Sequence, residues 1–488
     1  MELKDLAPQQ LWKHFAALNA VPRASKKEEQ VIGFVMDFGK SLGLETKKDA
    51  IGNVVIKKPA TPGMENRQTV ILQSHLDMVH QKNGDTVFDF NTQGIEMYVD
   101  GDWVKAKGTT LGADNGIGVA AIMTILSDKT LQHPAIEAMF TIDEETGMTG
   151  AKELDPANFS GTILLNLDTE EEDELTIGCA GGLDTNTSGQ YTEVPVGDGF
   201  VSFELKLSGL MGGHSGMDIH KGRGNANKLM NRCLYKAVQS FDIQLASLDG
   251  GSLRNAIPRE SVAQVIIPEK DQAAFAAFVK TFMATLEEEY KTIEPGLKLE
   301  LRAVATPAKV MEAGYFIKIL RAIYAAPNGV FRMSPDIDDL VEASTNLAKV
   351  IVKEGVFVTQ SLQRSSVEST KEDVANGVKA AFENIGCEVV QGGDYPGWKP
   401  DADSAVLRLL LDLYKDHFKH TPKVGACHAG LECGILGAHF AGGLDMISFG
   451  PTIHGAHSPD ERVQISSVGR FYDYLLHILR EIPVKANA

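Results

Sequence analysis

The sequence predicts an α/β domain built on a mixed sheet, into which a second, α+β domain is inserted. Near both ends of the chain, short apolar segments typical of buried strands alternate with amphipathic segments typical of helices. From about residue 183, segments such as FVSFELKLSGL instead alternate apolar and polar residues, as half-exposed strands do. The segment GGDYPGWKP is typical of a linker, and the α/β pattern returns after it. We therefore predict a discontinuous domain, 1–182 plus 393–488, and an inserted domain, 183–392.

Length, charge and cysteine content limit the classes of function. A chain of 488 residues is expected to form two or three domains. Its 47 Lys and Arg against 65 Asp and Glu give a net charge of −18, which disfavours nucleic-acid and membrane partners. We expect no membrane span, because no apolar run is long enough, and no signal peptide in MELKDLAPQQLWKHF. The five scattered cysteines are expected to be reduced thiols, so we predict a cytoplasmic protein.

The first candidate site residues lie at the end of a predicted strand. Helices are predicted near residues 6–18 and 26–44, followed by a strand in AIGNVVIKKPA. The next strand, VILQSHLDMV, is apolar until it reaches His75 and Asp77. Residues two apart on a strand point to the same side, so the pair suits a metal ligand and a ligating or orienting carboxylate. A hydrogen-bonded His–Asp pair without metal is the alternative.

Asp114 lies in a glycine-flanked loop just before a predicted helix that begins near Gly118. The positive end of the helix dipole favours a carboxylate at this place. The local pattern is equally compatible with a carboxylate that bridges metal ions and with a simple helix cap.

Two further predicted strands end in carboxylates. The strand near 138–142 leads into Asp143, Glu144 and Glu145, and adjacent side chains diverge there. One glutamate can therefore bind metal while the other faces the reacting water. The strand TILLNLD ends in Asp168, whereas the acidic run 170–174 after it is interpreted as a solvated face. Three separate strands thus end in potential ligands, and chance placement of polar residues on the surface does not explain this well.

The inserted domain is predicted to contain two βαββαβ units in tandem, at approximately 183–295 and 296–392, a weak repeat of topology. After the linker come a helix in SAVLRLLLDLYKDHF, a strand in LDMISFG, the segment GPTIHGAHSPDERV and a final helix near 468–480. These elements are interpreted as the missing part of the first domain.

Together the candidate ligands form a set that suits zinc, manganese or cobalt. It is too large for one tetrahedral ion and fits two, held about 3.5–4 Å apart by a bridging carboxylate. The set comprises His75, Asp77, Asp114, Glu144, Glu145, Asp168 and His457.

The sequence resembles the two-zinc exopeptidases that include aminoacylase, carboxypeptidase G and several bacterial dipeptidases. The resemblance rests on SHLDMV, GADNG, DEETG, NLD and GAHSPDE, which match in order along the whole chain. The segments HSGMDIHKGRGNAN, SLRNAIPRE and CHAGLECG are similar to the branch that cleaves Xaa-His dipeptides such as carnosine. The resemblance implies that the first domain is a zinc-exopeptidase catalytic domain and that the inserted domain, with two ferredoxin-like units, is a lid.

The resemblance also implies the ligands of two Zn²⁺ ions per chain, for which Mn²⁺ or Co²⁺ could substitute. One ion would be bound by His75 and Asp168 and the other by Glu145 and His457, with Asp114 bridging both. By the same resemblance, Asp77 would orient His75 and Glu144 would be the general base on a metal-bridging water. These roles agree with the chemistry, because zinc lowers the pKa of bound water toward about 7 and a nearby carboxylate can accept its proton.

Four residues of the inserted domain and its neighbourhood complete the implied site. His214 matches a lid histidine that donates to the carbonyl oxygen, although its glycine-rich context alone indicates a turn residue. Asn255, Arg364 and Gly430 match substrate-contacting positions. Arg364 would clamp the substrate carboxylate, with a solvated arginine at a strand end as the alternative. The lid is about twice the length of a single-unit lid, which leaves open whether His214 acts in its own chain or across a homodimer.

The leading hypothesis is a cytoplasmic di-zinc dipeptidase that acts on unblocked dipeptides, Xaa-His among them, with small peptides as its partners. The alternative is an N-acyl amino acid deacylase or desuccinylase of the same family. The presence of Glu144 and of every expected ligand argues against a non-catalytic homologue. The acidic balance and the lack of a basic groove argue against a nuclease.

Overall fold

The computed structural model describes residues 2–485 and divides into two compact units. Within the described residues, unit 1 comprises the chain up to 178, 400–426 and the chain from 431, and unit 2 comprises 179–399 and 427–430. The predicted role of the inserted region as a lid stays a prediction. None of the described helices is both long enough and apolar enough to cross a membrane.

The chain up to residue 179 forms helices α1–α4 and most of the main sheet of unit 1, with the bounds that follow. Its helices are α1 (Gln9–Asn19), α2 (Glu29–Ser41), α3 (Ala113–Ser127) and α4 (Thr149–Lys152), with short 3-10 helices at Leu3–Asp5 and Pro156–Asn158. Its strands are β1 (Glu45–Lys48), β2 (Val54–Lys58), β3 (Val70–His75), β4 (Met97–Asp100), β5 (Trp103–Ala106), β6 (Ile136–Thr141), β7 (Ile163–Asn166) and β8 (Glu174–Cys179).

The elements of unit 2 follow in the chain. Its strands are β9 (Gly181–Gln190), β10 (Glu193–Pro195), β11 (Phe200–Ser208), β12 (Gln244–Gly250), β13 (Ser261–Pro268), β14 (Lys298–Val304), β15 (Lys309–Met311), β16 (Gly329–Met333), β17 (Val341–Lys353), β18 (Val356–Ser365) and β19 (Glu388–Tyr395). Its helices are α5 (Ala226–Ala237), α6 (Gln272–Tyr290), α7 (Ala313–Ala325) and α8 (Glu368–Glu383), with 3-10 turns at Ile219–Lys221 and Glu269–Asp271.

The remaining elements belong to unit 1. They are α9 (Ala405–Phe418), β20 (Lys423–Cys427), α10 (Glu432–His439), β21 (Asp445–Ser448), β22 (Ile453–His454), β23 (Arg462–Gln464) and α11 (Ile465–Glu481).

The main sheet of unit 1 has the order β1-β2-β6-β3-β7-β21-β8-β20 and is mixed, as predicted. Its central strands β6, β3, β7 and β21 are parallel neighbours. Every residue of β3, β6 and β7 is buried, which is typical of a parallel sheet covered on both faces. Helix α3 is buried on nearly all sides and packs against β3 and α1. Because parallel strands end at the same edge, the segments that follow β3, β6 and β7 lie close together. A smaller sheet has the order β22-β23-β5-β4.

Unit 2 is built on a nine-stranded sheet, with helices α5–α8 packed into a shared apolar core. Alternate strand residues supply that core, for example Leu205 and Leu207 on β11 and Val265 and Ile267 on β13. The path of the sheet is β14-β11-β13-β12-β17-β18-β9-β19, with β16 paired to β17 and a separate ribbon of β10 and β15. Two ferredoxin-like units, joined through β12 and β17, are therefore present, as predicted.

The predicted tandem division of these two units is wrong. Strand β14, which we assigned to the second unit, pairs with β11, where Leu205 faces Leu301, and completes the first unit. The second unit takes its first strand from β9, which pairs with β18 and β19. The first unit is thus inserted after the first strand of the second. Alternation of apolar residues identifies a strand but not its partner, so the pattern could not show this.

Candidate metal centre

The carboxyl ends of three parallel strands bring the predicted ligands together in unit 1. Strand β3 ends at His75, and Asp168 lies two residues beyond β7. After β6, a turn places Glu144 and Glu145 beside Asp77, which follows β3. Each side chain is positioned by the end of a buried strand, which explains why the sequence pattern identified it.

His75 faces two carboxylates through one ring nitrogen. Its Nε2 atom lies 3.1 Å from Oδ1 of Asp114 and 3.4 Å from Oδ1 of Asp168, and its side chain is only 1% exposed. Burial alone lowers the pKa of His75, but Asp168, Asp114 and Asp77 raise it well above the ordinary value.

His457 faces a second pair of carboxylates. Its Nε2 atom lies 3.0 Å from Oε2 of Glu145 and 3.2 Å from Oδ2 of Asp114. Hydrogen bonds to Asp114 and Glu145 raise the pKa of His457 to about 11. A histidine that binds metal must release its proton, so a metal ion and a proton would compete for His457.

Asp114 connects the two groups, because its two carboxylate oxygens face different histidines. It lies in the first turn of α3, and the Asp114–Asn115 peptide bond is cis. Oε1 of Glu145 and Oδ1 of Asp168 are buried and make no hydrogen bond. Buried oxygens without hydrogen-bond donors, converging with imidazole nitrogens, fit metal coordination.

Asp77 contacts both His75 and the turn after β6. Its Oδ1 atom lies 3.3 Å from Nδ1 of His75, and its carboxylate accepts hydrogen bonds from the backbone N–H groups of Glu144 and Glu145 at 3.0 and 3.3 Å. Burial raises the pKa of Asp77, but His75 and the backbone donors outweigh it and lower the pKa overall. Because Nδ1 is occupied, Nε2 is the nitrogen left for a metal ion.

Glu144 is half-buried beside the candidate ligands. Burial raises its pKa well above the ordinary value, with further contributions from Asp168, Glu145 and Glu432 against the opposing effect of His75. A carboxylate with a raised pKa is the stronger base, so Glu144 is suited to accept a proton from water.

In unit 2, the ring of His214 is fixed as a hydrogen-bond donor. Its Nδ1 atom accepts from the backbone N–H groups of Gly216 and Met217, at 3.2 and 3.0 Å. Burial, assisted by Arg364, lowers the pKa of His214 to about 4, so the ring is neutral at pH 7. A neutral ring whose Nδ1 accepts must hold its proton on Nε2.

Arg364 lies beside His214 and is only 4% exposed, so the alternative of a solvated arginine is wrong. Its Nε donates to Oγ of Ser215 at 3.3 Å and its Nη1 to the hydroxyl of Tyr395 at 3.1 Å. Its Nη2 lies 3.5 Å from Nε2 of His214. Since both of these nitrogens carry protons, they can point toward one shared acceptor.

The other two predicted contact residues also belong to unit 2. The carbonyl of Asn255 accepts from the backbone N–H of Ser215 at 2.7 Å, next to His214. Gly430 ends the segment 427–430, which is anchored where the N–H of Ala180 donates to the carbonyl of Ala429 at 3.0 Å.

Comparison with known proteins is consistent with this geometry. Residues 205–294 match the family model of the peptidase dimerisation domain. The chain is 42% identical over 484 residues to the cytosol non-specific dipeptidase of Escherichia coli K12, covering 99% of this chain and 100% of the relative. The chain belongs to the M20 family of metallopeptidases. The structure of aminoacylhistidine dipeptidase from Vibrio alginolyticus is similar to it with a TM-score of 0.93 and 43% identity, covering 100% of this chain and 99% of that one.

Membership of the M20 family accounts for the metal dependence that the donor set indicates. The aminopeptidase PepT of Bacillus cereus is also similar, with a TM-score of 0.57, 16% identity and coverage of 98% and 99%, which shows a shared fold alone. The dimerisation match in this M20 metallopeptidase corresponds to the region from β11 to the residues just after α6.

The prediction that the acidic run 170–174 of this metallopeptidase is a solvated face is wrong in part. Within the acidic run, Glu172 pairs with Arg470 on the surface, as expected. Glu170 is instead half-buried, and burial, together with Asp114 and Asp168, raises its pKa to about 8. The run follows a strand that leads to the site, so its first residue lies near the ligands.

Three buried charged residues beside this M20 site are not among the predicted site residues. Glu461 lies four residues after His457, so the motif GAHSPDE offered a signal for it. Arg23 offered none, because no pattern marks it. Glu432 stands in α10 with no exposed surface, where it accepts from Nε2 of Gln73 and Oγ1 of Thr141, each at 2.7 Å.

Proposed function

We propose that this chain is a cytoplasmic two-zinc dipeptidase that cleaves dipeptides with a free amino end, Xaa-His dipeptides among them. The observation that supports it best is Asp114, whose two oxygens face two different histidines. The substrate class rests on the relatives named cytosol non-specific dipeptidase and aminoacylhistidine dipeptidase, both of which match over nearly the whole chain.

The donor set supports two ions. His75, Asp168 and Oδ1 of Asp114 would hold one ion, and His457, Glu145 and Oδ2 of Asp114 the other. When bound, zinc would lower the pKa of a water molecule and polarise the scissile carbonyl. Asp77 keeps Nε2 of His75 directed at the site. Glu144 takes the proton of the attacking water and gives it to the leaving amine.

The donors of unit 2 serve the substrate. His214 donates from Nε2 to the carbonyl oxygen, on which negative charge develops in the transition state. Arg364 binds the carboxylate of the substrate, because a guanidinium offers two parallel donors. Asn255 and Gly430 make further contacts with the substrate, as the resemblance to the family implies. The inserted domain of residues 183–392 acts as the lid, and its match to a dimerisation domain supports a homodimer.

Hydrolysis of carnosine and of N-acetyl-histidine by the same preparation tests this function. The protein is stripped of metal and then supplied with zinc, manganese or cobalt. We expect metal-dependent release of histidine from carnosine and none from N-acetyl-histidine. Cleavage of the acetylated compound alone would instead make the chain a deacylase, and two bound ions with no cleavage of any dipeptide in a wider panel would refute the dipeptidase function.

A further inference from the structure

A buried carboxylate, Glu461, holds the backbone of the loop that contains Asp114. Its Oε2 atom accepts from the N–H groups of Leu111 and Gly112 at 2.7 and 2.9 Å. Its Oε1 atom accepts from the N–H groups of Ala113 and Asp114 at 2.7 and 3.3 Å. Glu461 is 2% exposed, and four consecutive backbone donors therefore converge on one carboxylate.

A buried guanidinium, Arg23, holds the same loop through its carbonyl. Its Nη2 atom donates to the carbonyl oxygen of Gly112. Its Nη1 atom donates to the carbonyls of Leu76 and Asp77, at 3.1 and 3.0 Å, directly after the strand that ends in His75. Arg23 is 1% exposed, so it links the loop of one ligand to the strand of another in the interior.

The two charged residues hold the loop through different backbone groups, Arg23 through a carbonyl and Glu461 through N–H groups. The loop residue Gly112 has a φ of +70°, and a Cβ atom there would meet the guanidinium of Arg23. Glycine thus allows Arg23 to approach, while Glu461 binds the N–H groups. We define Arg23, Glu461 and the backbone of 111–114 as the Asp114 clamp.

We propose that the Asp114 clamp is a positioning device that holds the bridging carboxylate ready for two metal ions. The inference rests on the proposed two-metal function. Asp114 lies close to the carboxylates of Asp168 and Glu145, whose like charges oppose its own. Fixing the backbone on both sides keeps its two oxygens aimed at separate histidines. Neither Arg23 nor Glu461 is needed as a ligand, so both are positioning residues.

Replacement of Glu461 by Gln tests the proposal. The amide keeps the shape but turns a donor toward two of the four N–H groups. The matched control is Glu137→Gln, because Glu137 is 4% exposed and accepts from the N–H groups of Ser160 and Gly161. Glu137 pairs in register with Ile71, four positions before His75, at the opposite end of the strand from the ligands. Both variants lose hydrogen bonds between backbone N–H groups and a carboxylate. An effect that comes only from reduced stability should therefore appear in both.

Two measurements besides activity are made on each variant. Zinc affinity is measured by competition with a chelator, and the spin coupling of two bound Mn²⁺ ions is measured by electron paramagnetic resonance. We expect Glu461→Gln to bind zinc about 10–100-fold more weakly and to lose the coupled signal. Glu137→Gln should keep both while its apoprotein unfolds at a lower urea concentration.

The outcomes separate the two proposals. If the wild type shows no coupled Mn²⁺ pair, the two-metal function itself fails. If the wild type shows the pair and Glu461→Gln keeps the signal and the zinc affinity, the clamp proposal is overturned. Should Glu461→Gln not fold, Arg23→Lys replaces it, since lysine keeps the charge beside Glu461 but cannot reach both Gly112 and the carbonyls after β3. Unchanged zinc affinity in Arg23→Lys would then overturn the proposal.

Discussion

Asp77 approaches Nδ1 of His75 at 3.3 Å, while Nε2 of the same ring faces Asp114 and Asp168. One buried carboxylate thus occupies Nδ1 and leaves Nε2 to face the other two. The same carboxylate accepts hydrogen bonds from the N–H groups of Glu144 and Glu145, so it links the end of β3 to the turn after β6. Removing its charge should disturb the ligands without removing any of them.

The first prediction concerns Asp77→Asn. The amide turns a donor toward either the ring or the backbone N–H groups, so we expect zinc affinity to fall about 10–100-fold, measured by chelator competition. Asp49→Asn is a suitable control, because Asp49 also accepts three backbone N–H groups, from Ile51, Gly52 and Asn53, in another loop of the same unit. Equal zinc affinities in the two variants would show that Asp77 does not position the ligands.

The second prediction separates Glu144 from Glu145, which are adjacent and for which we propose different roles. Glu144→Gln should lower kcat by about 10²–10⁴-fold, because the base is lost, while two metal ions still bind. Glu145→Gln should lose metal, because Oε2 of Glu145 lies 3.0 Å from Nε2 of His457. Metal content by mass spectrometry and kcat on carnosine provide the two measurements. A Glu144→Gln variant with near-normal kcat would exclude Glu144 as the general base.

Three of the candidate ligands carry a local signal in the sequence, because each lies at or just after the end of a buried strand. An apolar run that ends in His75, Glu145 or Asp168 is a local pattern, and parallel strands then bring their ends together. Strand pairing is not local, which is why β14 was assigned to the wrong ferredoxin-like unit. The order of strands in a sheet depends on contacts between distant segments, such as Leu205 with Leu301.

The residues that support the site were harder to predict than the ligands. Arg23 acts on carbonyls far along the chain, so its role depends on the folded backbone and on no pattern near it. Glu170 begins an acidic run and Glu432 lies in a largely apolar segment, and only the packing shows how far each is withdrawn from solvent. A single buried charged side chain produces no periodic pattern in the sequence, so its burial cannot be predicted in this way.

The third prediction concerns the proton on His214. Two backbone N–H groups bind Nδ1, so nitrogen NMR at pH 7 should show a neutral ring protonated at Nε2. His214→Ala should lower kcat by about 10²–10³-fold, as loss of one donor to a developing oxyanion does. His220→Ala is the control, because His220 is exposed on the same segment. A ring protonated at Nδ1 would contradict the donor role.

The fourth prediction concerns Arg364→Lys. Lysine keeps the charge but cannot donate to Ser215, to Tyr395 and to a carboxylate at the same time. We expect KM for dipeptides to rise about 10-fold or more, because lysine cannot make the two parallel hydrogen bonds to the substrate carboxylate. The change in kcat should be smaller. A dipeptide amide, which lacks the carboxylate, should be affected much less by the substitution. Equal effects on the two substrates would show that Arg364 does not bind the carboxylate.

The last prediction concerns acid stability and His428 in unit 2. Its Nε2 atom lies 2.7 Å from Oγ of Ser344, and burial, then Arg364 and His214, lower its pKa from 6.5 to about 3. The unfolded chain therefore binds a proton below pH 6.5 that the folded chain does not. The stability contributed by the neutral ring is fully present above pH 6.5 and is lost as pH falls toward 3.

Urea unfolding of the metal-free protein between pH 7 and pH 4 checks this, because bound metal would itself stabilise the fold. His428→Gln removes the titrating group, so its free energy of unfolding should fall less steeply with decreasing pH, by up to about 1.4 kcal/mol per pH unit. His80→Gln, at an exposed position, should keep the slope of the wild type. If His428→Gln and His80→Gln show the same slope, His428 is already protonated in the folded chain, and burial does not keep the ring neutral.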